Sequence, residues 1–299
     1  MARTVASHTT GGLEKPDNVA PRLYGRAPDR ILSAMHPGAA HRQSYDPSGA
    51  STAAVVEVLM VHELDADAPH VLIPRAEVEI VVRFGPAARR GIDAHVLGAR
   101  EHVRRKVPRG TQRSLSARLR LGASEAVLGV PASAVAGRVV ALEDVWGDAA
   151  ARRLLERLAA TPDGLAAAKV LDAAIAERVA TDACRPCSRL ALEAAEKLRN
   201  NLFVPANVNA VADELGVSER HLRRVFRGAF GVGPKAFAKL ARFQRALRAA
   251  REDERAAWAT IAADAGYYDQ AHLIAEFHAI AGAPPRVLLG ELRVAASIG

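Results

Sequence analysis

Two textures of hydrophobic patterning divide the chain. From about Ala53 to Leu121, apolar residues come in short β-branched runs or alternate with polar ones. Val55–Val61, Val71–Ile73, Glu77–Phe84 and Leu115–Leu121 predict strands, with turn residues between them at Gly85-Pro86 and Pro108-Arg109-Gly110. The inference is an antiparallel β region, a partial barrel. After Gly122 the period lengthens. Ser124–Leu128 and Ser133–Ala136 predict short helices. Residues 148–160 place Ala151, Leu154, Leu155 and Leu158 on one face, and 165–179 predict a further helix beyond Pro162-Asp163-Gly164.

From Ser188 the pattern is helical throughout. Helices are predicted near 188–199, 207–215, 218–230, 234–251, 257–265, 269–281 and 285–292. Asn207 or Asn209, Ser218, Pro234 and Asp269 are start signals, and Gly216, Gly231, Gly266 and Gly282 are stops. The predicted fold is α+β: an antiparallel, barrel-like β-rich half with helices, then an all-α half. The expected divisions are a disordered tail over 1–28, a β-rich sensor-like domain over 29–147, a helical linker over 148–187, and a helical domain over 188–299. The linker helices could dimerise or pack on the β half.

Within the helical half one device occurs twice. Val211–Leu215, Gly216 and Ser218 lead into an arginine-rich helix. Ile261–Ala265, Gly266 and Asp269 lead into Gln270–Ala281. Each copy is a small-residue helix, a glycine turn, a polar cap and a second helix, closing on Phe226…Gly231…Pro234 or Phe277…Gly282…Pro285. Small residues let the second helix approach closely, and glycine permits the left-handed turn. This is a helix-turn-helix arrangement. The predicted connecting helix, Pro234 to Arg251, is about 27 Å long at about 1.5 Å per residue. Major-groove faces recur every ~34 Å, so such a helix can present both units to one side of a duplex.

In the first unit, Leu222, Val225, Phe226 and Phe230 recur at core spacing. Arg220, Arg223, Arg224 and Arg227 fall opposite. Guanidinium groups bind phosphate or grip guanine in a bidentate fork. The net charge of +8 and pI near 10.0 permit a nucleic-acid partner. They do not locate it, because Lys and Arg exceed Asp and Glu by 16 to 12 from Ser188 onward and by 25 to 21 before it. The local cluster at 220–227 carries the inference.

Residues 208–289 resemble the DNA-binding domain of AraC/XylS-type transcription regulators. The resemblance rests on Leu215–Phe226, Gly231-Val232-Gly233-Pro234-Lys235, Arg242-Phe243-Gln244-Arg245-Ala246, Ala262…Ala265–His272, and Glu276-Phe277. It implies two units entering adjacent major grooves, with base-reading positions at Arg220, Arg223 and Arg224, then at Gln270, Ala271, Ile274 and Ala275. It also implies activation through RNA polymerase. The second unit departs from the family by carrying Ala275 where a basic residue is usual, with Glu276 next to it. Gln270 and His272 are its polar candidates for base contact, and its N-terminal amides suit a phosphate. Pro74–Val81, Leu128–Pro131 and Val139–Gly147 resemble the β-rich sensor-like domain of a subset of the same regulators, which leaves a small-molecule effector open and unidentified.

Other features point to structure. Cys184-x-x-Cys187 has redox or half-zinc spacing but lacks further ligands, and reads as an incidental pair. The basic run Arg100, Arg104, Arg105, Lys106, Arg109 and Arg113 reads as a solvated loop, the alternative being an anion site. Trp146 reads as a packing residue, and Trp258 is expected against the connecting helix. His95 and His102 lack cupin metal spacing. No catalytic set, cofactor loop or metal cluster emerges, so an enzyme is not expected. No apolar run of transmembrane length or signal-peptide core is present, and two cysteines make no disulfide framework; a cytoplasmic chain with no membrane partner is expected. The leading expectation is a sequence-specific, ligand-responsive DNA-binding activator. The alternatives are a non-specific architectural DNA binder and an effector- or protein-binding module with weakened DNA binding.

Overall fold

The computed structural model describes residues 41–64, 70–107, 112–181, 187–200, 207–253 and 255–297. The expected tail at 1–28, the turn at Pro108-Arg109-Gly110 and Cys184 lie outside the described residues. The strands are β1 (His41–Tyr45), β2 (Val56–Leu64), β3 (His70–Leu72), β4 (Glu79–Phe84), β5 (Ile92–Leu97), β6 (Arg104–Lys106), β7 (Gln112–Leu119) and β8 (Val139–Ala141). Short helices α1 (Ala50–Ala53), α2 (Ser124–Leu128), α3 (Ala132–Val135) and α4 (Glu143–Trp146) accompany them. Longer helices follow: α5 (Asp148–Ala159), α6 (Gly164–Thr181), α7 (Arg189–Asn200), α8 (Val208–Glu214), α9 (Glu219–Phe230), α10 (Pro234–Glu252), α11 (Trp258–Ala265), α12 (Gln270–Ala281) and α13 (Pro285–Ser297).

Six strands form one antiparallel sheet in the order β1-β2-β7-β4-β5-β8, while β3 and β6 form a separate antiparallel pair. No ladder joins β1 to β8 among the described residues, so the sheet does not close on itself. One face is apolar. Leu59, Ile80, Val82, Val96, Leu115 and Ala117 are almost fully buried there. Helices α5 and α6 cover that face with Leu154, Leu158, Leu171 and Ile175, residues of the same cluster. Trp146 is in this core and donates from Nε1 to the Val127 carbonyl at 3.0 Å.

The opposite face holds a buried polar row. Register places His62 opposite Ser114, Ser114 opposite Arg83, and Arg83 opposite Asp93. All four residues are at most 7% exposed. Arg83 Nε donates to Asp93 Oδ1 at 2.8 Å, and the Arg89 amide donates to Asp93 Oδ2 at 2.8 Å.

The described residues of the basic run, Arg109 lying outside them, do not form a solvated loop. Arg104–Lys106 is strand β6, Arg100 is 7% exposed and bonds Glu79 at 3.2 Å, and the Arg113 guanidinium lies 4.5 Å from the Phe84 ring centroid.

Two further cores hold the helical half. One joins α7, α8, α9 and the start of α10 through Leu198, Val211, Leu222, Phe226, Phe230 and Phe237. The other joins α10 to α13 through Phe243, Leu247, Leu273, Phe277, Ile280 and Leu288, with half-buried Trp258 against it. Both borrow from the β half: Ala76 and Ala99 enter the first, Val71, Ile73 and Val103 the second.

Candidate nucleic-acid interface

Each unit is a short helix, a left-handed glycine and a capped second helix. Gly216 and Gly266 have φ of 67° and 85°, conformations that glycine adopts without steric cost. Ser218 Oγ accepts from the His221 amide at 3.2 Å, and Asp269 Oδ1 accepts from the His272 amide at 2.7 Å. These caps satisfy donors that a helix start leaves open. Asn207, not Asn209, caps α8, accepting from the Ala210 amide at 3.1 Å. Helix α10, 19 residues long, links the units.

Helix α9 has two unlike faces. Leu222, Phe226 and Phe230 are buried, with Phe226 edge-on to Phe230 at 4.6 Å and to Phe237 at 5.3 Å. Arg220, Arg224 and Arg227 are exposed. Arg223 is half-buried and donates from Nε to Glu219 Oε1 at 2.7 Å. Arg224 Nη2 lies 3.2 Å from His221 Nδ1. The outer face is thus a stripe of guanidinium groups beginning in the first turn of the helix, where phosphate is also favoured.

Helix α12 is different. Gln270, Ala271 and Ala275 are exposed, His272 is half-buried with its ring edge-on to Tyr267 at 5.4 Å, and Ile274 is half-buried against the second helical core. Glu276 does not face the outer side. It turns inward, 7% exposed, and pairs with Arg242 of α10 at 2.8 Å. Tyr268, missed by sequence reasoning, is 88% exposed immediately before the cap Asp269. Its signal was the Tyr267-Tyr268 doublet: Tyr267 is committed to the core, so its neighbour in the turn faces out.

Residues 211–290 match the family described as a helix-turn-helix domain. The C-terminal region is an AraC-type helix-turn-helix domain. Domains of this kind occur in DNA-binding transcription regulators. In structure, the chain is similar to ToxT from Vibrio cholerae, with 8% identity over 84% of this chain and 98% of ToxT and a TM-score of 0.45. A ToxT structure with bound unsaturated fatty acid gives 8% identity, 85% and 97% coverage and a TM-score of 0.45. ToxT from strain O395 gives 10%, 84%, 98% and 0.43. No curated protein matches the chain.

Between the sheet and the AraC-type domain lies a cleft of about 880 Å³, lined by His62 and Arg118 of the sheet, Arg75, and Gln244, Arg245 and Arg248 of α10, among others. No residue of α9 or α12 lines it. Burial, then the neighbouring Arg248 and Arg242, lowers the pKa of Arg245. Among the described residues, no group of three His, Cys, Asp or Glu side chains is placed to hold a metal, and no helix is long and apolar enough to cross a membrane.

Proposed function

We propose that this chain is a sequence-specific transcription regulator of the cytoplasm, an activator that contacts RNA polymerase and answers to a small-molecule effector. The observation that carries the reading is helix α9, whose buried Leu222, Phe226 and Phe230 hold Arg220, Arg224 and Arg227 outward beside a capped N-terminus. Arg220, Arg223 and Arg224 read bases, and Arg227 contacts phosphate. Gln270, Ala271, His272, Ile274 and Ala275 form the smaller second contact. The test is selection of duplexes from a random pool by the full chain at fixed salt. Arg224→Ala should then cost about 1–3 kcal/mol on the selected site and relax one base position. A pool that yields no preferred sequence would remove sequence specificity. Run-off transcription from a selected site tests the activator role.

The effector site in this reading is the arginine-rich cleft, whose lining suits an anion. A melting-point rise with phosphate, citrate or oleate, lost in Arg248→Ala, is the expected result. No rise with any of the three would take the effector away from the cleft. The charge of +8 supports a second reading, a non-specific architectural binder. A steep salt dependence with equal affinity for selected and scrambled duplexes would favour it.

A further inference from the structure

The last turn of the second recognition helix is completed by the β half. The final four carbonyls of a helix have no partner inside it. In α12 the Gly282 amide donates to the His278 carbonyl at 2.9 Å. The next two donors come from far away in sequence. The Val103 amide donates to the Ile280 carbonyl at 2.9 Å, and Arg105 Nη1 donates to the Ala281 carbonyl at 2.7 Å. A cation at a helix C-terminus also has the favourable sense for the helix dipole. Arg105 reaches further, donating from Nε to Glu291 Oε2 of α13 at 2.8 Å. The first recognition helix makes the same glycine contact, the Gly231 amide donating to the Arg227 carbonyl at 2.9 Å.

The β3–β6 pair that supplies these contacts is a bridge. On one side, Val71, Ile73 and Val103 enter the core that holds Leu273, Phe277 and Ile280 of α12. On the other, Leu72 clusters with Val81, Leu97 and Val139 of the main sheet. A two-stranded unit has little stability alone, so its position follows what it docks on. Gln244 Nε2 donates to the Pro74 carbonyl at 2.8 Å and holds the segment after β3 to the connecting helix.

We propose that the β3–β6 pair seats the second recognition helix, with Arg105 as the positioning residue, so that the second half of a DNA target is read only while the β half holds that pair in place. This rests on the DNA-binding reading and adds its regulation.

The experiment is hydroxyl-radical footprinting of the full chain on duplexes selected by the wild type. Arg105→Ala, Arg105→Lys and Glu291→Gln are compared, each with its melting midpoint. The wild type should protect two patches. Arg105→Ala should keep the patch of the arginine-rich helix and weaken the other by about fivefold or more. Arg105→Lys, which keeps the charge and a donor, should restore part of it. Glu291→Gln, which removes the ion pair and leaves the carbonyl contact, should keep both patches and serves as the stability control. Equal weakening of both patches, no weakening, or the same loss in Glu291→Gln would overturn the proposal. A wild type that protects no DNA would overturn the proposed function as well, which separates the two failures.

Discussion

Glu276 of the second recognition helix and Arg242 of the connecting helix form an ion pair of 2.8 Å in which the two side chains are 7% and 12% exposed. The pair fixes one helix on the other at the level of the core, where Phe243 meets Phe277 at 4.6 Å. Tyr267 sits beside it, and burial followed by the nearby Glu276 charge pushes its phenol pKa up. Removing one partner of such a pair leaves a buried charge without compensation. Glu276→Ala should therefore cost about 3–5 kcal/mol in urea denaturation. The double variant Arg242→Leu/Glu276→Leu should recover most of that loss. A single variant as stable as wild type would mean that the pair is solvated.

The Arg223–Glu219 contact sets a different balance, because it competes with DNA. Glu219 stabilises the start of α9 through the helix dipole and holds one guanidinium along the helix. Glu219→Gln should lower stability by about 0.3–1 kcal/mol. DNA binding should nevertheless tighten, since Arg223 is released and one carboxylate facing the phosphates is gone. If Arg223 then takes a phosphate, the slope of log affinity against log salt steepens by about one. Fluorescence anisotropy across a salt series reads both quantities, and an affinity no better than wild type would show that the pair does not restrain Arg223.

Asp93 gives the β half a defined acid sensitivity. Burial raises its pKa, but hydrogen bonds from His95, Arg83 and the Arg89 amide outweigh burial and hold it far below the usual carboxylate range. A depressed folded pKa stabilises the fold above the unfolded value of about 3.9, and that contribution is lost as pH falls below it. Wild-type stability should drop with decreasing pH under about 4. Asp93→Asn should start lower at pH 7 and fall less steeply over the same window. Parallel curves for the two proteins, from urea midpoints at several pH values, would assign the acid sensitivity elsewhere.

The helical half was legible in the sequence because its signals are local. Ser218, Asp269, Gly216 and Gly266 each act within a turn of their own position, and the structure ends its helices at these residues within about a residue of expectation. Strand β5 escaped because Asp93 and His95 break its apolar pattern. They are polar and buried, a combination made tolerable by the cross-strand partner Arg83, the Arg89 amide and their own mutual contact. Strand β6 escaped for a similar reason: Arg104, Arg105 and Lys106 look solvent-bound, and the Ala281 carbonyl and Glu291 that receive Arg105 lie far along the chain. The inward turn of Glu276 was not legible either, because its partner Arg242 is one helix away. Long-range polar pairing, not hydrophobic periodicity, is what the sequence concealed.

The contact between the first recognition helix and the β half can be isolated with two glycines. Gly216 and Gly231 have similar φ, 67° and 75°. An alanine at either position bears the left-handed penalty of about 1–2 kcal/mol. Nothing lies within 4 Å of a Cβ at Gly216, whereas at Gly231 it would stand 2.9 Å from the Ala132 carbonyl oxygen and 2.9 Å from the Ala136 Cβ, in and just beyond α3. Such crowding costs a further 1–3 kcal/mol, roughly, when backbone has to move. Gly231→Ala should therefore be less stable than Gly216→Ala by about that amount. Denaturation midpoints of the two full-length variants measure the difference directly. Equal losses would mean that α3 does not press on the end of α9, and that the arginine-rich helix takes its orientation from the helical half alone.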